Sequence, residues 1–196
     1  CDKELMESLL KVKDNPEISR YLAYLRDRGL LEKLTEWALE QDLEFKFRLG
    51  FFLQITNFTK DAVRIYENLR EELSELYQEN PERWAGDYAT TLNDLALTYS
   101  DLSQYDKALE LYEKALSIRE SLYRQNPERW VRDYGLVLWN LANMHKKQGN
   151  HEEAKNILSF LVSLIEKHKL HQKIPKWKDI LSDIEEILSE GPGVSP

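Results

Sequence analysis

Asn80-Pro81-Glu82-Arg83-Trp84 returns letter for letter 46 residues later, as Asn126-Pro127-Glu128-Arg129-Trp130. The residues that follow return at the same distance, so that Leu95-Ala96 is repeated by Leu141-Ala142. A fixed internal period of this size is typical of a solenoid, in which each unit buries its apolar face against its neighbours. The repeat therefore predicts the architecture and favours a binding function, but it does not name a partner.

The same period extends back by one more unit, because a shift of 46 residues aligns Leu49-Gly50 with Leu95-Ala96. Each of the three units is predicted to contain a first helix, a short polar turn and a longer second helix. The first helices are predicted at about 43–56, 87–102 and 133–148, and the second helices at about 59–79, 105–125 and 151–168. Asn-Pro-Glu-Arg-Trp is predicted to be a connector that precedes the first helix of the second and third units, with its tryptophan packed on the adjacent helices.

Small residues recur where the two helices of a unit are expected to approach closely. A larger side chain at these places would hold the paired helices apart. They are Gly50, Ala96 and Ala142 in the first helices and Ala62, Ala108 and Ala154 in the second helices.

Residues outside the three units are predicted to form flanking helices. Residues 1–42 hold amphipathic segments at about 3–12, 16–28 and 30–41, as an N-terminal helical cap or the tail of a preceding domain. A polar connector and a capping helix from Trp177 to Ser189 are predicted within 169–190, because a terminal repeat has no neighbour to cover its apolar side. Residues 191–196 are predicted to be a flexible tail or linker. The repeats themselves are assigned to 43–86, 87–132 and 133–168.

The repeated unit resembles the tetratricopeptide repeat family. The resemblance covers about 43–168 and is best from Leu92 to Tyr99 and from Tyr105 to Ala115. It implies an all-α fold, a right-handed α-α superhelix that binds proteins. The 46-residue length departs from the usual 34 and resembles repeats of the kinesin-light-chain and bacterial signalling types. The Lys and Arg pattern of repeats that clamp acidic chaperone C-termini is largely absent.

Composition excludes several other classes of function. The net charge of −8, with basic and acidic residues interleaved, argues against nucleic-acid binding. No run approaches the roughly 20 apolar residues of a membrane helix. The single cysteine, Cys1, rules out an internal disulfide. A cytoplasmic location is expected; a mature lipoprotein that begins at Cys1 is the alternative.

No catalytic residue, metal site or cofactor is predicted, and the chain is not expected to be an enzyme. The histidines His145, His151, His168 and His171 are expected at the surface, without further ligands at zinc spacing. No glycine-rich phosphate loop is present. The repeated Arg-Trp pairs could anchor a ligand, but their recurrence favours a structural role.

The candidate partner-binding residues lie on the first helices, at positions that face neither the second helix nor the next unit. In a superhelix these positions line a concave groove, here expected to be apolar. They are Phe47, Phe51 and Gln54; Thr90, Asn93, Leu97 and Asp101; and Leu136, Trp139, Asn143 and Lys147. The alternative is that the N-terminal or C-terminal helices cover this groove.

The sequence therefore predicts a protein-interaction module that binds a peptide or helix through aromatic anchors. The alternative is a regulatory or sensor segment of a larger signalling protein, such as an ATPase or a transcription regulator. Self-association is left open by the sequence.

Overall fold

The structure, a computed structural model, describes residues 16–189, and all regular elements in this range are helices. The predicted helix at 3–12 and the predicted tail at 191–196 lie outside the described residues. The ten helices are α1 (Pro16–Asp27), α2 (Leu30–Ala38), α3 (Leu43–Ile55), α4 (Thr59–Glu79), α5 (Pro81–Asp101), α6 (Tyr105–Gln125), α7 (Pro127–Gln148), α8 (His151–His168), α9 (Leu170–Lys173) and α10 (Pro175–Ser189).

The bounds of the second helices α4, α6 and α8 confirm the prediction, whereas the first helices α5 and α7 begin six residues earlier than expected. The connector assignment of Asn-Pro-Glu-Arg-Trp is wrong. Asn80 is the N-cap of α5, its side chain accepts a hydrogen bond from the backbone N–H of Arg83, and Pro81 is the first helical residue. Asn126 caps α7 in the same way. The pentapeptide therefore recurs because it starts a helix.

The turn between the two helices of each repeat uses one residue with a positive φ. Asn57, Ser103 and Gly149 occupy this place at intervals of 46 residues, with φ angles of 65°, 59° and 84°. The next backbone N–H reaches back five residues to the helix, as from Gln104 to the Tyr99 carbonyl at 2.9 Å. This is the Schellman arrangement, which satisfies carbonyls left open at a helix end. The period thus fixes the turns as well as the helices.

The chain divides into two compact units between Gln104 and Tyr105. In the N-terminal unit α2 packs on α3 and α4, and α5 packs on both α3 and α4. Gly50 in α3 permits the closest approach, because a β-carbon there would lie 2.8 Å from the ring of Tyr66 in α4. Tyr66 is fully buried, as are the small residues Ala62 and Ala96. The predicted role of small residues at the helix pair is confirmed here.

In the C-terminal unit α7 packs between α6 and α8, and α10 packs on α8 and α9. Its core is one apolar cluster to which α7, α8, α9 and α10 contribute. Gly135, a residue that sequence reasoning left aside, is the tight point of this unit. A β-carbon there would lie 2.6 Å from Cη2 of Trp177, which is itself buried. The contact fixes α10 against α7.

The last helix repeats the buried positions of α7 at the same 46-residue distance. Trp177, Ile180 and Ile184 in α10 correspond to Val131, Tyr134 and Leu138 in α7, and all six are buried. The helix begins at Pro175, two residues earlier than expected, and the segment before it is not entirely polar, since α9 carries the buried Leu170. α10 is therefore a further first helix in register.

Leu188 stands where the first helices of the repeats carry Gly50, Ala96 and Ala142. A leucine at this place would hold a following second helix away from α10.

Candidate functional site

The predicted binding residues of the N-terminal unit lie at its surface and are called the N-terminal surface. None of them is buried, and Phe51 is 46% exposed, which is high for a phenylalanine. Helix α3 contributes Phe47, Phe51 and Gln54, and α5 contributes Thr90, Asn93, Leu97 and Asp101. The described part of the unit leaves each of these residues at least partly accessible to solvent.

Gln54 differs from the other members of the N-terminal surface. Its Oε1 accepts a hydrogen bond from the Tyr66 hydroxyl at 3.3 Å, and its Nε2 is buried without a hydrogen-bond partner among the described residues. Gln54 thus points toward α4 more than toward solvent. Ile55, which sequence reasoning missed, is 37% exposed one turn after Phe51. A strict reading of the period would have found it, because Ile55 corresponds to Asp101.

The predicted residues of the C-terminal unit lie on α7 and are called the C-terminal surface: Leu136, Trp139, Asn143 and Lys147. Leu136 and Trp139 are half-buried and pack on the edge of the apolar core, while Lys147 is exposed. The Asn143 side-chain amide donates to the carbonyl of Trp139 at 2.9 Å, which fixes its orientation. The surface combines an aromatic anchor with oriented polar groups.

Two of the four histidines are not at the surface, so that part of the prediction is wrong. His145 is 8% exposed within α7, at the place that Tyr99 holds in α5. The His168 side chain is also buried, and its Nε2 lies 2.9 Å from the Tyr123 hydroxyl. Its Nδ1 lies 3.6 Å from a carboxylate oxygen of Glu128. These contacts join three helices and are structural.

Metal-binding geometry is not found in the described range: no three His, Cys, Asp or Glu side chains between residues 16 and 189 are grouped closely enough to hold an ion. Nor is any helix in that range long and apolar enough to cross a membrane.

Titration of the tyrosines follows from the packing of the repeats. Burial, with the nearby Asp94 carboxylate, raises the pKa of Tyr66 well above its ordinary value. Burial and the hydrogen bond that the Tyr99 hydroxyl donates to Glu67, at 2.7 Å, raise the pKa of Tyr99 to about 12. Both hydroxyls stay protonated at neutral pH. They hold helices together and are unsuited to proton transfer there.

The Arg-Trp pairs are intrahelical stacks. The guanidinium carbons of Arg83 and Arg129 each lie 4.7 Å from the ring centroid of the tryptophan that follows. The guanidinium carbon of the buried Arg119 lies over the Trp130 ring as well, 5.3 Å from its centroid. These contacts fit the structural interpretation of the repeated pair.

Two family models, both described as tetratricopeptide repeat, match residues 89–128 and 137–168. These two segments are tetratricopeptide repeats. Each match spans most of a first helix and the second helix that follows it. Tetratricopeptide repeats are generally protein–protein interaction modules, and proteins built from them are typically non-enzymatic.

The solved structures include a crystal structure of nearly identical TPR-like repeats, a candidate kinesin light chain of Podosopora anserina. The two sequences are 16% identical, and the structural match covers 93% of this chain and 95% of that chain, with a TM-score of 0.52. At this identity the likeness concerns the tetratricopeptide fold alone. No curated protein sequence matches the chain.

Proposed function

We propose that each unit of this tetratricopeptide protein binds a peptide or helix of a partner protein, the N-terminal unit through the N-terminal surface and the C-terminal unit through the C-terminal surface. The observation that carries the proposal is exposure. All eleven predicted residues keep solvent access, although five of them are apolar or aromatic. Their helix neighbours such as Leu53, Leu95 and Leu141 are buried. Apolar side chains left open on a rigid helix pair are typical anchors for a partner.

Aromatic anchoring dominates the proposed binding. Phe51 on the N-terminal surface and Trp139 on the C-terminal surface are the largest candidates, and burying such a side chain in an interface contributes about 2 kcal/mol or more. Around them Asn93 and Asn143 supply amide groups for a peptide backbone, and Thr90 supplies a hydroxyl. Charge has a secondary role on these surfaces.

The test uses peptides selected from a random dodecapeptide phage library on the purified protein. Phe51→Ala is expected to weaken the peptides that bind the N-terminal surface about 30-fold, and Trp139→Ala those that bind the C-terminal surface by the same factor, measured by fluorescence polarisation. Phe160→Ala is the matched control, because Phe160 is 48% exposed on the second helix α8 and lies on neither surface. It should change the affinity less than twofold.

Circular dichroism of each variant distinguishes a binding defect from unfolding. Two results would contradict the proposal. One is a selection that yields no binding peptide; the other is a set of peptides that bind Phe51→Ala and Trp139→Ala as tightly as the unsubstituted protein.

A further inference from the structure

The C-terminal surface continues from α7 onto α10. Because the buried residues of α10 follow those of α7 at 46 residues, the residues that face away from the core correspond as well. Ser182 therefore takes the place of Leu136, and Glu185 takes the place of Trp139. Both are exposed. Sequence reasoning missed them because α10 was considered only as a cap.

Glu185 differs from the ion-paired glutamates of the first and second helices. Glu44 and Glu120 pair with the arginines one turn later, at 2.7 Å and 2.6 Å. The residues three and four positions from Glu185 are Leu181, Ser182, Leu188 and Ser189, none of which is basic. Within residues 16–189 no ion pair of Glu185 is present. Its carboxylate is thus available to a ligand.

Two exposed lysines of the same unit, Lys178 and Lys147, stand about two helical turns away from the level of Glu185 and Trp139. Lys178 precedes Glu185 by seven residues on the same side of α10, which is roughly 10 Å along the axis. Lys147 stands eight residues after Trp139 in α7, roughly 12 Å along that axis. Both separations are about one Debye length at 0.1 M salt, so neither exposed lysine neutralises Glu185 by itself.

We propose that Trp139 and Glu185 together receive a lysine or arginine side chain of the bound peptide. The indole face attracts a cation and covers its alkyl stem, and the carboxylate pairs with its charge. An isolated carboxylate or an isolated indole would be less selective, whereas the two on neighbouring helices favour a basic residue over an apolar one. The inference rests on the proposed function, since it names a residue class that this same surface selects.

The test repeats the dodecapeptide selection on the unsubstituted protein, on Glu185→Gln and on Glu185→Lys. Peptides from the unsubstituted protein should carry Lys or Arg at one common position. Changing that residue to norleucine should weaken binding about five-fold for the unsubstituted protein, but less than twofold for Glu185→Gln. Peptides from Glu185→Lys should carry Asp or Glu at that position.

Asp183→Asn is the matched control for charge. It removes the same charge from an exposed position of α10, about 160° around the helix from Glu185. This variant should keep the basic preference.

Selected peptides that depend on Trp139 but show the same basic preference with Glu185→Gln, or none at all, would overturn this inference and leave the proposed function standing. Peptides that bind independently of both Trp139 and Phe51 would overturn the proposed function itself.

Discussion

The N-terminal and C-terminal units share the same repeated helix packing, but they depart from the repeated sequence at different positions. In the N-terminal unit the buried Lys46 pairs with the partly exposed Glu72, at 2.7 Å. The places 46 residues later are Leu92 and Ile118, and the next are Leu138 and Leu164. In the C-terminal unit the buried charged residue is Arg119, which lies 3.6 Å from Asp133. The residue that corresponds to Arg119 in the preceding repeat is Leu73. Each unit therefore tolerates one charged pair at a place that another repeat fills with leucine.

The tight helix contact also differs between the two units. Gly50 admits Tyr66 from the second helix of its own repeat, whereas Gly135 admits Trp177 from the last helix. This difference indicates that the residues common to all repeats determine the helix arrangement. The residues that differ between repeats determine which helices pack most closely in each unit. Substitutions at these exceptions test that distinction.

Trp177→Ala should have the largest effect on stability. Its removal leaves a cavity over Gly135 that no nearby side chain fills, so the free energy of unfolding should fall by about 3–5 kcal/mol. Urea unfolding followed by circular dichroism measures the change. A loss below about 1 kcal/mol would mean that α10 does not close the C-terminal unit.

Glu72→Ile should cost about 2 kcal/mol in the same measurement, because it leaves the ammonium of Lys46 buried without its carboxylate. The side chain of Lys46 is 5% exposed and that of Glu72 is 42% exposed, so the cost stays below that of a fully buried pair. The double variant Lys46→Leu with Glu72→Ile copies the other repeats and should restore the stability. A double variant as unstable as Glu72→Ile would show that the repeats are not interchangeable here.

Exchanging turn residues between units should have the smallest effect. Ser103→Gly should stabilise the protein by about 0.5 kcal/mol, since glycine adopts a positive φ without strain. Gly149→Ser should destabilise it by about 1 kcal/mol, because serine is strained at the positive φ of this position. A β-carbon at Gly149 would meet no atom within 4 Å, so this cost comes from the backbone and not from a steric clash. Thermal melting of both variants gives the comparison. Equal melting temperatures would show that the turn conformation carries no strain.

The sequence predicted the parts of the molecule that depend on local periodicity. The second helices and their turns follow from the 46-residue repeat, and the exposure of Phe51 and Trp139 follows from helical spacing. The starts of α5 and α7 were also within reach, because Asn80-Pro81 is the same start signal that Asn15-Pro16 provides for the helix that begins at Pro16. The prediction gave more weight to the repeat than to this local signal.

Contacts between distant residues could not be predicted from the sequence. The contact between Trp177 and Gly135 depends on the path of the chain after α9, and the sequence period does not specify that path. The burial of His145, by contrast, could have been predicted, because the 46-residue period aligns it with the buried Leu53 and Tyr99. Glu185 became a candidate only when the burial of α10 fixed its register.

Hydrogen exchange measured by mass spectrometry, with and without a selected peptide, tests the central claim most directly. A peptide on the N-terminal surface should slow amide exchange in the first helices α3 and α5, and a peptide on the C-terminal surface should slow it in α7. Exchange in the second helices α4 and α6 should be unchanged within experimental error. Protection confined to the second helices would contradict the assignment of the binding surfaces.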